Sequence, residues 1–259
     1  MPPTELTSRG RKGSMTMTLD VYYSATPNGW KISIMIEELK EVGVGLPEVR
    51  LHMMSLEDGD QFASEFTAIN PNQRMPALMH DGRAIFESCA ILQYLGETYP
   101  SPLLPQGPAR WDVLPWLYWQ AANLGPVFGN KVSYTRYIDV DEATKAHPMD
   151  RFGNEGARLV RVMARRLEVA PWLGGETFSV ADIAAFPWVR AYKWAKIDIT
   201  AEPRVVDWLE RCRRRPGVQR GVAWGVPQEE AERFSADRRA RYKAMGASIA
   251  ANERLNERN

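Results

Sequence analysis

The sequence predicts an α/β domain with a mixed sheet followed by an all-helical domain, and three observations carry that expectation. Strand and helix textures alternate from Leu19 to about Pro100. The segment "SPLLPQGPAR" then places three prolines and a glycine within ten residues, the clearest linker in the chain. Beyond it almost every segment carries helical spacing and strand texture all but vanishes. The expected division is a polar, flexible leader at 1–17, the α/β domain at 18–100, the linker at 101–110, the helical domain at 111–226 and a polar, helix-permissive tail at 227–259.

In order along the chain, "LDVYYS" reads as a strand. Pro27–Glu41 reads as a helix with Ile32, Met35, Ile36 and Leu39 on one side, stopped by Gly43. "EVRLHMM" has the period-two texture of a second strand. After a polar stretch with an undecided helix, "PALMH" and "RAIFE" flank Asp81-Gly82, a tight-hairpin signal. "SCAILQYLGETY" reads as the helix that closes the domain. In the second domain "WDVLPWLYWQAANLGPVF", "DRFGNEGARLVRVMARRLEV", "SVADIAAFPWVRAYKWA" and "PRVVDWLERCRRR" read as helices. In "FSVADI", Ser179 and Asp182 are spaced for a capping box, with Phe178 and Ile183 as its hydrophobic staple.

Composition narrows the function classes. Of 259 residues, 33 are basic and 32 acidic, so the formal charge of +1 gives no general field for nucleic acid or an anionic membrane. No apolar run is long enough to span a bilayer, and the leader lacks the apolar centre of a secretory signal. The expected location is cytoplasmic. Cys89 and Cys212 are far apart in no Cys-x-x-Cys, and His52, His80 and His147 lack ligand spacing, so no metal is expected.

The stretch "SATPNGWK" concentrates hydrogen-bonding groups where a strand becomes a helix. Pro27 suits the first helical turn, which puts Thr26 near the cap. Thr26 and Asn28 there either cap the helix or meet an anion at its positive end. Glu87 and Ser88 open the next helix with the same two readings, a cap or an anion site. Pro76 of "MPAL" is either the start of an edge strand or a cis proline that leaves the Met75 backbone free to pair with a peptide.

Four elements, "TPNGWK", "INPNQRMPAL", "FESCAILQYL" and "FSVADIAAFPW", together resemble a cytosolic glutathione transferase over roughly Leu19–Val226. "TPNG" with "DGDQF" is similar to the nu class, which includes bacterial disulfide-bond oxidoreductases related to a yeast prion protein. The resemblance implies a thioredoxin-like N-terminal domain, an all-α C-terminal domain, one or two glutathione molecules per subunit and a homodimer. It implies Thr26 and Asn28 as the pair that stabilises the glutathione thiolate. Gln61, Arg74, Met75, Pro76, Glu87, Ser88 and Arg151 would hold the rest of the tripeptide. Tyr134, Tyr137, Tyr192 and Trp224 are candidates for the second substrate's pocket. With no cysteine at the catalytic turn, the protein's own thiol is not the expected nucleophile, and Cys89 is read as a small buried residue. Implied reactions are disulfide reduction and cleavage of glutathionyl thioethers, the latter used by some soil-bacterial relatives on lignin-derived aromatics. Simple conjugation and a non-catalytic glutathione binder are the alternatives.

Overall fold

In a computed structural model, the structure describes residues 17–225. The expected leader, apart from its final residue, and the expected tail lie outside the described residues. The chain starts β1 (Thr18–Tyr23), α1 (Pro27–Glu41), β2 (Glu48–Met53), a 3-10 turn at Asp60–Phe62, and α2 (Ser64–Ile69). It continues β3 (Ala77–His80), β4 (Arg83–Phe86) and α3 (Ser88–Thr98). The helical part comprises α4 (Arg110–Trp119), a π-helical turn at Gln120–Leu124, α5 (Gly125–Arg136), α6 (Glu142–Val169), α7 (Val180–Arg190), α8 (Tyr192–Ala195), α9 (Pro203–Arg213) and α10 (Pro216–Ala223).

The four strands lie in the order β2-β1-β3-β4, with β1 parallel to β2 and antiparallel to β3. The β3–β4 hairpin turns on Asp81 and Gly82, whose φ values of 49° and 76° match the turn that an Asp-Gly pair favours. On β1 the side chains of Leu19, Val21 and Tyr23 are fully buried, as alternation along a half-covered strand requires. One continuous apolar core runs from these residues through α1 and α3 into Leu117, Phe128, Val160 and Ile183 of the helical part.

Helix α6 begins earlier than its sequence texture suggests. Asp141 caps it by accepting from the Thr144 amide at 2.9 Å, and the helix carries Pro148 in its interior. The capping box of α7 forms: Ser179 Oγ accepts from the Ala181 amide at 3.3 Å, and Asp182 accepts from the Ser179 amide at 3.1 Å. Asp182 also accepts from the Leu173 amide at 2.9 Å and the Trp208 indole at 2.8 Å, so the cap ties α7 to α9.

Helix α10 lies back along α1. Arg215 donates to fully buried Glu38 at 3.0 and 2.5 Å, Arg220 reaches Glu37 at 2.9 Å and also Glu41, and Ser33 donates to the Gly221 carbonyl at 2.7 Å. These bonds fix α1, whose N-terminus carries Thr26 and Asn28.

Candidate functional site

The sheet register brings three segments together. Tyr22 pairs with Ala77 and Ala77 with Phe86, so one step further Pro76 lies between Tyr23 and Glu87. Tyr23 leads into α1 and Glu87 into α3, which places the Met75–Pro76 peptide, cis in this structure, between two helix N-termini. Hydrogen bonds shape its loop: buried Asn70 accepts from the Asn72 amide at 2.9 Å and donates to the Arg74 carbonyl at 2.5 Å. The side chain of Arg74 is exposed and that of Met75 nearly buried.

At the start of α1, Thr26 is the N-cap, its Oγ1 accepting from the Gly29 amide at 3.3 Å. Its proton points to the Ser24 carbonyl at 3.4 Å, a long bond that a better acceptor would displace. A hydroxyl carries one donor and two acceptor lone pairs, so capping and donation to an anion are compatible. Asn28 Oδ1 accepts from the Trp188 indole at 3.1 Å. An indole nitrogen only donates, which assigns the amide: its oxygen faces Trp188, and its NH2 has no protein partner among the described residues. No acidic residue occupies the first turn of α1, so nothing there offsets the helix dipole.

Gly29 is required by close approach, because a Cβ there would stand 2.1 Å from the Ser24 carbonyl oxygen. Trp188 lies against α5, where a Cβ at Gly129 would come within 3.2 Å of its ring.

At the start of α3, Glu87 is exposed, takes φ 68° and receives the Asn72 side-chain amide at 3.4 Å. Ser88 makes no capping bond, and neither does the Glu87 side chain. Of the two readings open for Ser88, the cap is not formed: its hydroxyl instead accepts from Lys31 at 3.1 Å. Cys89 is buried, and burial pushes its thiol above the usual cysteine range. Gln61 is only 2% exposed, and neither its amide oxygen nor its nitrogen has a hydrogen-bond partner. A buried amide left open on both ends fits a polar occupant.

The second-domain candidates lie on α5, at its C-terminal cap, and on α6 and α8, both of which pack against α5. Tyr134 stacks on Phe152 with ring centroids 6.0 Å apart, and Arg151, one residue before Phe152, is exposed. Tyr137 accepts from Trp194 at 3.5 Å, and Tyr192 opens α8 beneath the Lys193 ammonium. Trp224 is elsewhere. Its indole donates to Glu37 at 3.2 Å and lies under Lys40, eleven or more residues past Thr26, or about 16 Å along the helix. Its backbone carbonyl accepts from the Tyr23 hydroxyl at 3.3 Å, with the two rings 6.2 Å apart, so it bridges the end of β1 and the body of α1.

Sequence reasoning missed Trp188 and Lys31. Lys31 sits four residues before Met35, on the apolar stripe of α1, and a lysine at a core position is a readable signal. Nothing local connects Trp188 to Asn28, 160 residues earlier.

A mixed sheet whose cis-proline loop lies between two helix starts, backed by a helical bundle, defines the glutathione transferase class of fold. The chain belongs to the glutathione S-transferase family: the family profile "Glutathione S-transferase, N-terminal domain" matches residues 17–97, and "Glutathione S-transferase, C-terminal domain" matches 132–216. It is 38% identical to the disulfide-bond oxidoreductase YfcG of Escherichia coli over 77% of this chain and 92% of that protein. The disulfide-bond oxidoreductase YghU of the same organism is 34% identical over 78% of this chain and 73% of that protein. A Burkholderia graminis glutathione transferase, solved with two glutathione molecules per subunit, superposes with a TM-score of 0.72 at 34% identity, covering 81% and 89% of the two chains. A Pseudomonas putida glutathione transferase with one glutathione disulfide per subunit gives 0.72 at 34% identity, covering 83% and 94%.

Among the described residues, no group of three or more His, Cys, Asp or Glu could hold a metal ion, and no helix is long and apolar enough to cross a membrane.

Proposed function

We propose that the protein is a glutathione-dependent thiol enzyme of the nu class, working in the cytoplasm as a homodimer with its active-site halves divided as 18–100 and 111–226. Asn28 carries the reading. With its oxygen committed to Trp188, its NH2 is an open donor at the positive end of α1, next to the Thr26 hydroxyl. Glutathione supplies the thiol. Each charge-assisted hydrogen bond from Thr26 or Asn28 to a sulfur anion is worth about 1.5–3 kcal/mol. At about 1.4 kcal/mol per unit, one such bond brings a thiol from about 8.5 to near neutrality, with no general base.

The remaining residues hold the tripeptide. The Ser88 hydroxyl and the open amides of α3 receive the γ-glutamyl carboxylate, and Glu87 receives its ammonium. The Met75 backbone beside Pro76 pairs with the peptide as an added strand. Arg74 meets the glycyl carboxylate, and the open Gln61 amide accepts a further polar group of the ligand. Arg151, Tyr134, Tyr137 and Tyr192 line the approach of the second substrate, a small disulfide or aromatic molecule.

Two overall reactions fit. Two glutathione thiols reduce a disulfide and leave as glutathione disulfide. Alternatively, one thiol displaces the acceptor from a glutathionyl thioether, giving glutathione disulfide and the reduced acceptor. The naming of YfcG and YghU as disulfide-bond oxidoreductases and the glutathione disulfide in the Pseudomonas relative support the first. Steady-state assays with glutathione and a small disulfide, beside a glutathionyl aromatic thioether and an electrophile for conjugation, test the reading. Turnover of the disulfide that collapses in Asn28→Ala is expected. Tight glutathione binding with no turnover of any substrate would make the protein a binder and end the enzymatic reading.

A further inference from the structure

Four side chains from three segments meet beneath the start of α3. Lys31, 2% exposed, places its Nζ 3.1 Å from Ser88 Oγ, 3.7 Å from Cys89 Sγ and 2.7 Å from Gln120 Oε1. Three acceptors match the three N–H bonds of an ammonium, where a neutral amine would have only two to give. Burial pushes the Lys31 ammonium down from the ordinary lysine value, while Cys89 and Glu87 act against that shift. The protonated Cys89 thiol donates to Gln120 Oε1 at 3.2 Å, so that oxygen receives both the lysine and the thiol. Because the Ser88 oxygen already accepts from Lys31, its hydroxyl proton is left to donate, and the buried Gln120 Nε2 in the same cluster has no partner either.

The charge balance is equally incomplete. Among the described residues no carboxylate lies within ion-pair distance of Lys31. A buried cation without a fixed anion is costly, and an apolar side chain of the same length would pack there at less cost. What the arrangement suits is an anion that arrives. Lys31 also stands one turn after Asn28 on the same helix, so it joins the carboxylate subsite to the thiolate subsite.

We propose that Lys31 is the positioning residue of the carboxylate subsite: it turns the Ser88 hydroxyl outward as a donor and supplies the buried positive charge that an incoming α-carboxylate neutralises. This rests on the reading of the site as a glutathione site.

The test is calorimetric titration with glutathione and with 4-aminobutyryl-cysteinylglycine, which lacks only the α-carboxylate. Wild-type protein is expected to prefer glutathione by roughly 10- to 100-fold, the worth of a charge-assisted bond. Lys31→Met is expected to lose most of that preference, as is Ser88→Ala. The double variant should lose little more, because the two act as one unit. Lys31→Gln, which keeps a donor and removes the charge, carries the same test should Lys31→Met fail to fold. If either lysine variant weakens both ligands alike and keeps the preference, Lys31 is only a packing residue and the proposal is overturned. If the wild-type protein binds both ligands equally, the carboxylate is not read and the proposal is overturned while the glutathione reading stands; if it binds neither, the glutathione reading itself falls and takes the proposal with it.

Discussion

Replacing Thr26 with valine keeps the side-chain shape and removes a hydroxyl that serves two purposes. As a cap it accepts from the Gly29 amide at 3.3 Å, a long bond, so the loss of folding stability should fall near about 1 kcal/mol. For a chain of this size that lowers Tm by about 2–4 °C. As a donor it holds only the Ser24 carbonyl at 3.4 Å, so little is lost in turning to a bound sulfur anion. Losing a charge-assisted bond of about 1.5–3 kcal/mol raises the pKa of the bound glutathione thiol by about 1–2 units. The assay is a pH titration of the protein–glutathione complex, followed by the ultraviolet absorbance of the thiolate. Affinity for S-methylglutathione, which has no thiol to ionise, should stay within about twofold, since an uncharged sulfur gains little from the donor. Thr26→Ser should titrate as wild type. If Thr26→Val titrates at the wild-type midpoint, the hydroxyl is a helix cap and nothing else.

Three further outcomes follow from the geometry. Trp188→Phe keeps a ring against Gly129 but frees the Asn28 amide to rotate, so kcat/KM should fall roughly fivefold, the worth of about 1 kcal/mol, while Tm changes little; an unchanged kcat/KM would show that the indole does not orient the amide. Gly29→Ala drives a methyl group into the Ser24 carbonyl and should cost at least about 2 kcal/mol in urea unfolding; an unaltered midpoint would refute the close approach. Arg215→Ala leaves Glu38 buried without its partner and should cost about 2–3 kcal/mol, the low end for a buried pair because the arginine retains some contact with water. A loss under about 0.5 kcal/mol in the same assay would mean that Glu38 finds another donor.

What could be read from the sequence was what neighbouring residues decide together. Helix α1 runs from Pro27 to Glu41 as its spacing and its flanking proline and glycine indicate, and the Asp81-Gly82 hairpin and the Ser179–Asp182 capping box form because each is complete within a few residues. The extension of α6 back to Glu142 escaped because Pro148 and Gly153 dilute its helical texture, and only the Asp141 cap marks its start. Motif residues at the starts of α1 and α3 were legible for the same local reason. Their partners were not: Lys31 meets Ser88 across 57 residues and Gln120 across 89, distances over which no periodicity reports. The neighbours of Trp224, Glu37 and Lys40, were equally beyond local reading, since an aromatic residue near the end of the helical part reads alike whether it faces a ligand or a pair of charges.

The return of α10 onto α1 makes the chain a closed circuit rather than two beads on a string. A cut at the proline-rich joint would strip the sheet-bearing half of the helix that clasps it from behind, and would lay bare apolar surface that both halves share. The sequence divides there; the cooperative unit does not, and transplanting the front half alone onto another scaffold would forfeit the rigidity that aims its two helix starts at one point.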